Sequence, residues 1–170
     1  MTNSEITPEL LEKPARLELL LARVGYAVWQ LAECEDSVAG LVLIKLRSAR
    51  GVGEEAGLKL LAAEQRKTFG QGLSALREAN ALPGHLQDRA DKLVRERNWV
   101  VHQAKREHRG ALNKPQVFNQ LIARLKAIGE EATQLNTLLA KEIEEFAVSS
   151  GVDRAQVDAA AAELAASWGY

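Results

Sequence analysis

Apolar residues recur along the chain at intervals of three and four, which is the spacing of one face of an α-helix. No segment alternates with the two-residue period of a strand. The first long helix is predicted from about Pro14 to Arg47, and Thr7 with Pro8 predicts a short helical lead-in before it. Its apolar positions are Leu17, Leu21, Val24, Val28, Leu31, Val38 and Val42.

Glycine-containing segments interrupt the predicted helices in the next part of the chain. "SARGVGEE" ends the first helix, and a second helical region follows over roughly 54–79. Within it, "KTFGQGL" predicts a break, because Thr68 can cap a restarted helix and the two glycines weaken continuity. The residues predicted to form the buried side of this region are Leu58, Leu61, Ala62, Phe69, Leu73 and Leu76.

Prolines and polar caps predict where the remaining helices begin. A third helix is expected from about Pro83 to Lys105, and a fourth begins with Asn113 as its cap and Pro115 in its first turn. Asp153 resembles the cap of a final Ala-rich helix. The stripe of the fourth helix comprises Phe118, Ile122, Leu125, Ile128, Leu135, Leu139, Ile143 and Phe146.

Helices of this kind, joined by short loops and each carrying one apolar stripe, predict an all-α fold. The architecture we expect is an up-and-down four-helix bundle over residues 1–150. Residues 151–170 would add an extra C-terminal helix, as an Ala-rich appendage or a dimer contact. No linker is long enough to divide the chain into two domains.

Composition narrows the class of protein. The 170 residues are 46% hydrophobic and 26% charged, which is typical of a soluble globular protein. The net charge of −1 excludes a global basic field, so an anionic partner must meet a local patch. With Cys34 as its one cysteine, the chain forms no internal disulfide. We expect a cytoplasmic protein without membrane contact, since neither a secretion signal nor a membrane-length apolar run is evident.

The third helix carries an unusual polar group in the segment "RERNWVVH". Arg97 follows Leu86, Ala90 and Leu93 along one apolar stripe, where a guanidinium needs a partner to offset the cost of burial. Asn98 and His102 are four residues apart and therefore adjacent on the helix surface. Arg95 lies on the same face as these two residues.

Charges around this group indicate a local site. Residues 89–109 contain seven of the 22 basic residues, which makes this the most basic part of the chain and one that could meet a phosphate backbone. In the first helix, Glu33 and Asp36 share a face, and either is predicted to hold Arg97 or to orient His102. The seven basic residues are Arg89, Lys92, Arg95, Arg97, Lys105, Arg106 and Arg109.

At "RNWVVH", from Arg97 to His102, the chain resembles the HEPN family, whose signature is R-x(4–6)-H, often as R-N-x-x-x-H. The resemblance covers roughly residues 14–148. It implies an all-α four-helix bundle that dimerises so that two motifs face one cleft. It also implies a metal-independent endoribonuclease of toxin–antitoxin, phage-defence or CRISPR systems. HEPN toxins with a nucleotidyltransferase antitoxin often have Tyr two residues after the histidine, where this chain has Ala104.

The resemblance implies a set of functional residues. Arg97, His102 and Asn98 would be catalytic, and neither a metal nor another cofactor would be needed. Their helix positions, not the resemblance, place Glu33, Asp36 and Arg95 in support. RNA would be the substrate, and an antitoxin or other protein a further partner. Histidine exchanges protons near neutral pH and arginine clamps phosphate oxygens. One motif histidine per chain is too few for separate acid and base, so we expect a homodimer.

Structural explanations stay open beside these functional ones. Arg97 and His102 could form a buried network without chemistry, and Glu33 and Asp36 could be a solvated acidic face. We expect Trp99 to pack in the core or at an interface, not to serve as a base-stacking platform. His85 and His108 are expected at the surface. The alternative function is a non-catalytic HEPN-like bundle that binds a partner protein or a nucleotide.

Overall fold

The computed structural model describes residues 12–48 and 52–167, so the predicted lead-in at Thr7 and Pro8 lies outside the described residues. Every regular element in these two ranges is helical and neither contains a strand, which confirms the all-α prediction. The helices are α1 (Lys13–Val42), α2 (Glu54–Gln65), α3 (Phe69–Glu78), α4 (Gly84–His102), α5 (Ala104–Glu107), α6 (Pro115–Ser149) and α7 (Arg154–Ser167).

The first helix reaches Arg47 as predicted, but its last turn changes type. After Val42 the chain continues as a π-helical turn over Leu43–Arg47 and becomes extended at Ser48. The wider turn carries Lys45, whose ammonium donates to the Ala81 carbonyl at 2.9 Å and to Glu142 at 3.1 Å. The end of the first helix is thereby tied both to the loop before α4 and to α6.

The predicted break in the second helical region is confirmed, whereas the predicted burial of α2 is wrong. Thr68 and Gln71 form a reciprocal capping box that starts α3. Leu58 on α2, however, is 58% exposed. The reason is that α2 lies outside the main core, and its buried residue is Glu64, which pairs with Arg47 and Lys67. Periodicity predicts which residues share a face, but it does not say whether that face is covered.

Two predicted boundaries need correction. The third helix does not continue to Lys105, because Gln103 leaves helical geometry and separates α4 from α5. Asn113 does not cap α6: it ends a 3₁₀ turn, and Lys114 is the N-cap residue without a side-chain hydrogen bond. Lys114 is extended, as expected for a residue before proline, and Pro115 occupies the first turn as predicted.

The core lies where α1 packs along α6, with α3 and α4 completing it. Cys34 is fully buried there and donates a hydrogen bond to the Ala132 carbonyl at 3.1 Å. This burial raises the pKa of the Cys34 thiol to about 12, so the side chain stays in its neutral thiol form within the core. Fully buried large side chains of this core include Val38, Leu41, Leu73, Leu76, Leu93, Leu125, Leu135 and Leu139.

The N-terminal half of α1 departs from its predicted burial. Leu17, Leu21 and Val28 are 44%, 62% and 42% exposed, although they continue the stripe of the buried Leu31. Here α1 contacts α6 and the short 3₁₀ turn over Ala111–Asn113, which leave part of its surface uncovered. An apolar surface therefore remains open at this end of the molecule.

The final helix begins as predicted at Asp153, whose carboxylate accepts the Ala155 amide at 3.2 Å. α7 contacts α6, and Arg154 lies 3.7 Å from Glu144. None of the helices in the described ranges is long and apolar enough to cross a membrane.

The contact between α1 and α3 depends on the absence of a side chain at Gly72. A Cβ atom there would lie 2.7 Å from Cγ1 of Val38, which is itself buried. We therefore expect Gly72→Ala to lower the free energy of unfolding by about 1–3 kcal/mol, measured by urea denaturation. Gly25→Ala is the matched control, because nothing lies within 4 Å of its added Cβ. The control should stabilise α1 by about 0.5–1 kcal/mol, and equal effects would contradict the predicted clash.

Candidate functional site

The C-terminal half of α4 positions Arg97, Asn98 and His102. Leu86 and Leu93 are buried, and they set the rotation of α4 so that Arg97 lies at the edge of the core. The Arg97 side chain is 33% exposed, and its Nε donates to Oε1 of Glu35 at 3.0 Å. Arg97 therefore has the carboxylate partner that its place on the apolar stripe requires, but it is not a deeply buried charge.

The partner of Arg97 is Glu35, not Glu33 or Asp36 as predicted. Glu35 comes four residues after Leu31 and three before Val38, both of which are buried, so it lies on the core-facing edge of α1. Asp36 instead accepts a hydrogen bond from Gln65 on α2 at 3.0 Å. The sequence did contain this signal, since Glu35 has helical spacing to the buried stripe.

An open pocket of about 320 Å³ brings the three motif residues together. α4 lines this pocket with Val94, Arg97, Asn98 and His102. The start of α3 contributes Thr68, Phe69 and Gly70. His102 and Asn98 are exposed, so both are accessible to a ligand. Arg95 is also exposed but is not part of this lining.

The start of α3 gives the pocket a second source of positive potential. The side chain of Thr68 accepts the amide of Gln71, and Phe69 and Gly70 of the first turn line the pocket. Unpaired amides at a helix N-terminus favour an anion. The Glu35 hydrogen bond occupies Nε of Arg97 and leaves both terminal nitrogens as donors. These groups together suit a phosphate or a carboxylate.

The basic segment offers fewer free cations than its sequence indicated. Arg89 makes two hydrogen bonds to Glu131 on α6, at 2.7 and 3.1 Å, and Arg97 pairs with Glu35. The other five of the seven basic residues are exposed. The five are Lys92, Arg95, Lys105, Arg106 and Arg109.

A cluster around Trp99 supports the end of α4. Trp99 is buried as predicted, its Nε1 donates to Glu107 at 2.7 Å, and the Arg124 guanidinium lies 3.5 Å from its ring centroid. His108 is half-buried, not a surface residue as predicted, because its ring packs against Trp99 in a T-shaped contact with the ring centroids 5.6 Å apart. The cluster spans the break at Gln103, so it holds α5 against α4 just beyond His102.

No protein-family model, no curated protein and no solved structure matches the chain. Within the described ranges, no three His, Cys, Asp or Glu side chains are grouped as potential metal ligands.

Proposed function

We propose that this protein is a metal-independent endoribonuclease of the HEPN type, a cytoplasmic toxin or defence effector built on an up-and-down four-helix bundle. One observation carries the proposal: Arg97, Asn98 and His102 line a single open pocket beside the first turn of α3. A guanidinium, an amide and an imidazole are groups that can bind a phosphate and transfer a proton without a metal.

The proposed reaction is an internal transfer at phosphorus. The 2′-oxygen of a ribose attacks the adjacent phosphate as a base removes its proton, and the 5′-oxygen leaves with a proton from an acid. The products are a 2′,3′-cyclic phosphate and a free 5′-hydroxyl. Arg97, oriented by Glu35, neutralises charge on the non-bridging oxygens, and Asn98 positions the phosphate.

A dimer would supply the second proton-transfer group. In this arrangement, His102 acts as base and His102 of the partner subunit acts as acid, or the reverse. Val101 is 53% exposed next to His102, so an apolar side chain is available where two copies of α4 would meet. Isolated apolar residues are common on surfaces, and the chemistry gives the stronger reason for pairing.

We expect light scattering to give the mass of a homodimer at tens of micromolar protein, roughly the range of a weak but specific interface. Val101→Glu should shift the population toward monomer, because it places two like charges at the contact. Val52→Glu is the matched control, since Val52 is also exposed, at 38%, but lies far from the motif in the chain. A monomer at all concentrations would contradict the composite site.

The direct test is cleavage of RNA by the purified protein in the presence of a metal chelator. We expect cleavage at an unchanged rate with the chelator, and fragments that end in 2′,3′-cyclic phosphate. Total cellular RNA and a set of structured RNAs are suitable substrates, because the pocket does not define a sequence preference. Absence of cleavage on every RNA, or cleavage only with added metal, would overturn the proposal.

In that case the non-catalytic alternative takes its place, namely a helical bundle that binds a protein partner or a nucleotide. Its support is the exposed apolar surface on α1, where Trp29 is 68% exposed along with Leu21 at 62%. Exposed large apolar side chains of this kind mark interaction surfaces when they are contiguous.

A further inference from the structure

A second cavity lies on a different face of α4 and has a different chemical character. Its volume is about 530 Å³, within the range of about 300–1,000 Å³ typical of small-molecule sites. α1, the α4–α5 segment, the 3₁₀ turn and α6 enclose it, and its walls are mainly apolar. The wall residues that matter here are Leu20, Leu21, Val24, Val100, Leu121 and Leu125.

The charged residues that line this cavity are two cations, Lys105 and Arg109, and the lining contains no carboxylate. His108 and Asn113 are its other polar side chains. Lys105 and Arg109 are exposed, and neither forms an ion pair within the described ranges. Elsewhere in the basic segment, Arg89 and Arg97 are neutralised by carboxylates of other helices. The cations at this cavity are therefore available to an external anion.

We propose that this cavity binds a free fatty-acid-type carboxylate, with the acyl chain between α1 and α6 and the carboxylate at Lys105 and Arg109. The acyl chain of the ligand covers apolar surface that the fold leaves open, notably Leu21, which is 62% exposed. The head group meets two unpaired cations at an edge accessible to water. A neutral apolar ligand gains the burial of apolar surface but not the interaction with the two cations.

This inference does not depend on ribonuclease activity. No lining residue is shared by the cavity and the Arg97 pocket, so either can be correct without the other. The two sites do share the end of α4, where Val100 faces the cavity and His102 lines the pocket.

The test is calorimetric titration of the full chain with sodium decanoate, with decanol as the uncharged probe. We expect decanoate to bind more tightly than decanol. Leu21→Glu should weaken decanoate binding by about tenfold or more, through lost apolar contact and like-charge repulsion. Leu58→Glu is the matched control, because Leu58 is similarly exposed, at 58%, and does not line the cavity. Both substitutions are at exposed helical positions, so both variants should fold.

The charged edge is tested separately by the double variant Lys105→Gln with Arg109→Gln. It should weaken decanoate binding by about fivefold and leave decanol binding unchanged. Lys126→Gln with Lys141→Gln, on exposed parts of α6, should change neither.

Each of the following results would overturn the proposal. The first three are that decanoate does not bind, that decanoate and decanol bind equally tightly, and that decanoate binding is unchanged by Leu21→Glu. The last is that the parent protein is a dimer without decanoate binding and that Leu21→Glu converts it to a monomer. The last result would assign the apolar surface to a second copy of the chain. Sedimentation with phosphatidylcholine–phosphatidylglycerol vesicles adds one further check, since co-sedimentation that Leu21→Glu abolishes would indicate a membrane surface and contradict a free ligand.

Discussion

His102→Ala is expected to slow RNA cleavage by about 100- to 10,000-fold, the usual loss when a proton-transfer group is removed. His102 is exposed at the last position of α4, so the substitution should leave folding intact. The measurement is the single-turnover cleavage rate at saturating protein, with circular dichroism to confirm an unchanged helical signal. An unchanged rate in a folded variant would exclude His102 from the chemistry.

The control for this substitution is His85→Ala, because His85 is exposed near the start of α4, away from the pocket. It should cleave at the parent rate. His108→Ala is a poorer control than the sequence indicated, since it removes the edge contact with Trp99 and should lower stability.

Arg97→Lys separates charge from geometry at the same site. It keeps the positive charge and loses the planar fork that binds two phosphate oxygens, so cleavage should fall while stability changes little. Arg97 and Glu35 are 33% and 28% exposed, and partly exposed pairs of this kind contribute only about 1 kcal/mol or less. A parent-like rate in Arg97→Lys would reduce Arg97 to a structural partner of Glu35.

Leu135→Ala is expected to lower the free energy of unfolding by about 2–5 kcal/mol. Leu135 lies on α6 within the core cluster and is fully buried. Removing its side chain loses apolar burial and leaves a cavity that well-packed neighbours fill only in part. Urea denaturation at constant pH measures the change.

Leu58→Ala is the informative comparison, because the periodic pattern places Leu58 and Leu135 alike on buried faces. The structure leaves Leu58 58% exposed, so its loss should be within about 0.5 kcal/mol. Equal losses of unfolding free energy at the two positions would mean that Leu58 is covered in solution, as the periodic pattern predicts.

The helices were accessible to sequence reasoning because their signals are local. Thr68 as a helix cap and Pro115 in a first turn mark helix starts within a few residues, and both predictions are confirmed. Burial on α2 and on the first half of α1 was not accessible, because it depends on which other elements lie opposite. The break at Gln103 was not predicted because no glycine or proline lies there. The hydrogen bond beside it joins two different helices, from Trp99 of α4 to Glu107 of α5.

The same distinction applies to the candidate site. Arg97, Asn98 and His102 could be grouped from helical spacing alone, and all three line one pocket. The carboxylates predicted as partners, Glu33 and Asp36, lie on another face of α1, and the spacing of Glu35 to the buried Leu31 and Val38 is the signal that this prediction did not use. The contribution of α3 was not predicted either, because Phe69 and Gly70 meet the motif only through packing between helices.

The pairing of α1 with α6 has a consequence for synthesis on the ribosome. The hydrogen bond from Cys34 to Ala132 joins residues 98 positions apart, so the two halves of the core are made at different times. At a synthesis rate of about 5–20 residues per second, that separation corresponds to roughly 5–20 s. During this interval Leu31 and Val38 have no α6 to cover them, and the growing chain presents a long apolar helix to chaperones and to neighbouring chains. Slow translation between α4 and α6 should therefore increase aggregation more than slow translation within α7.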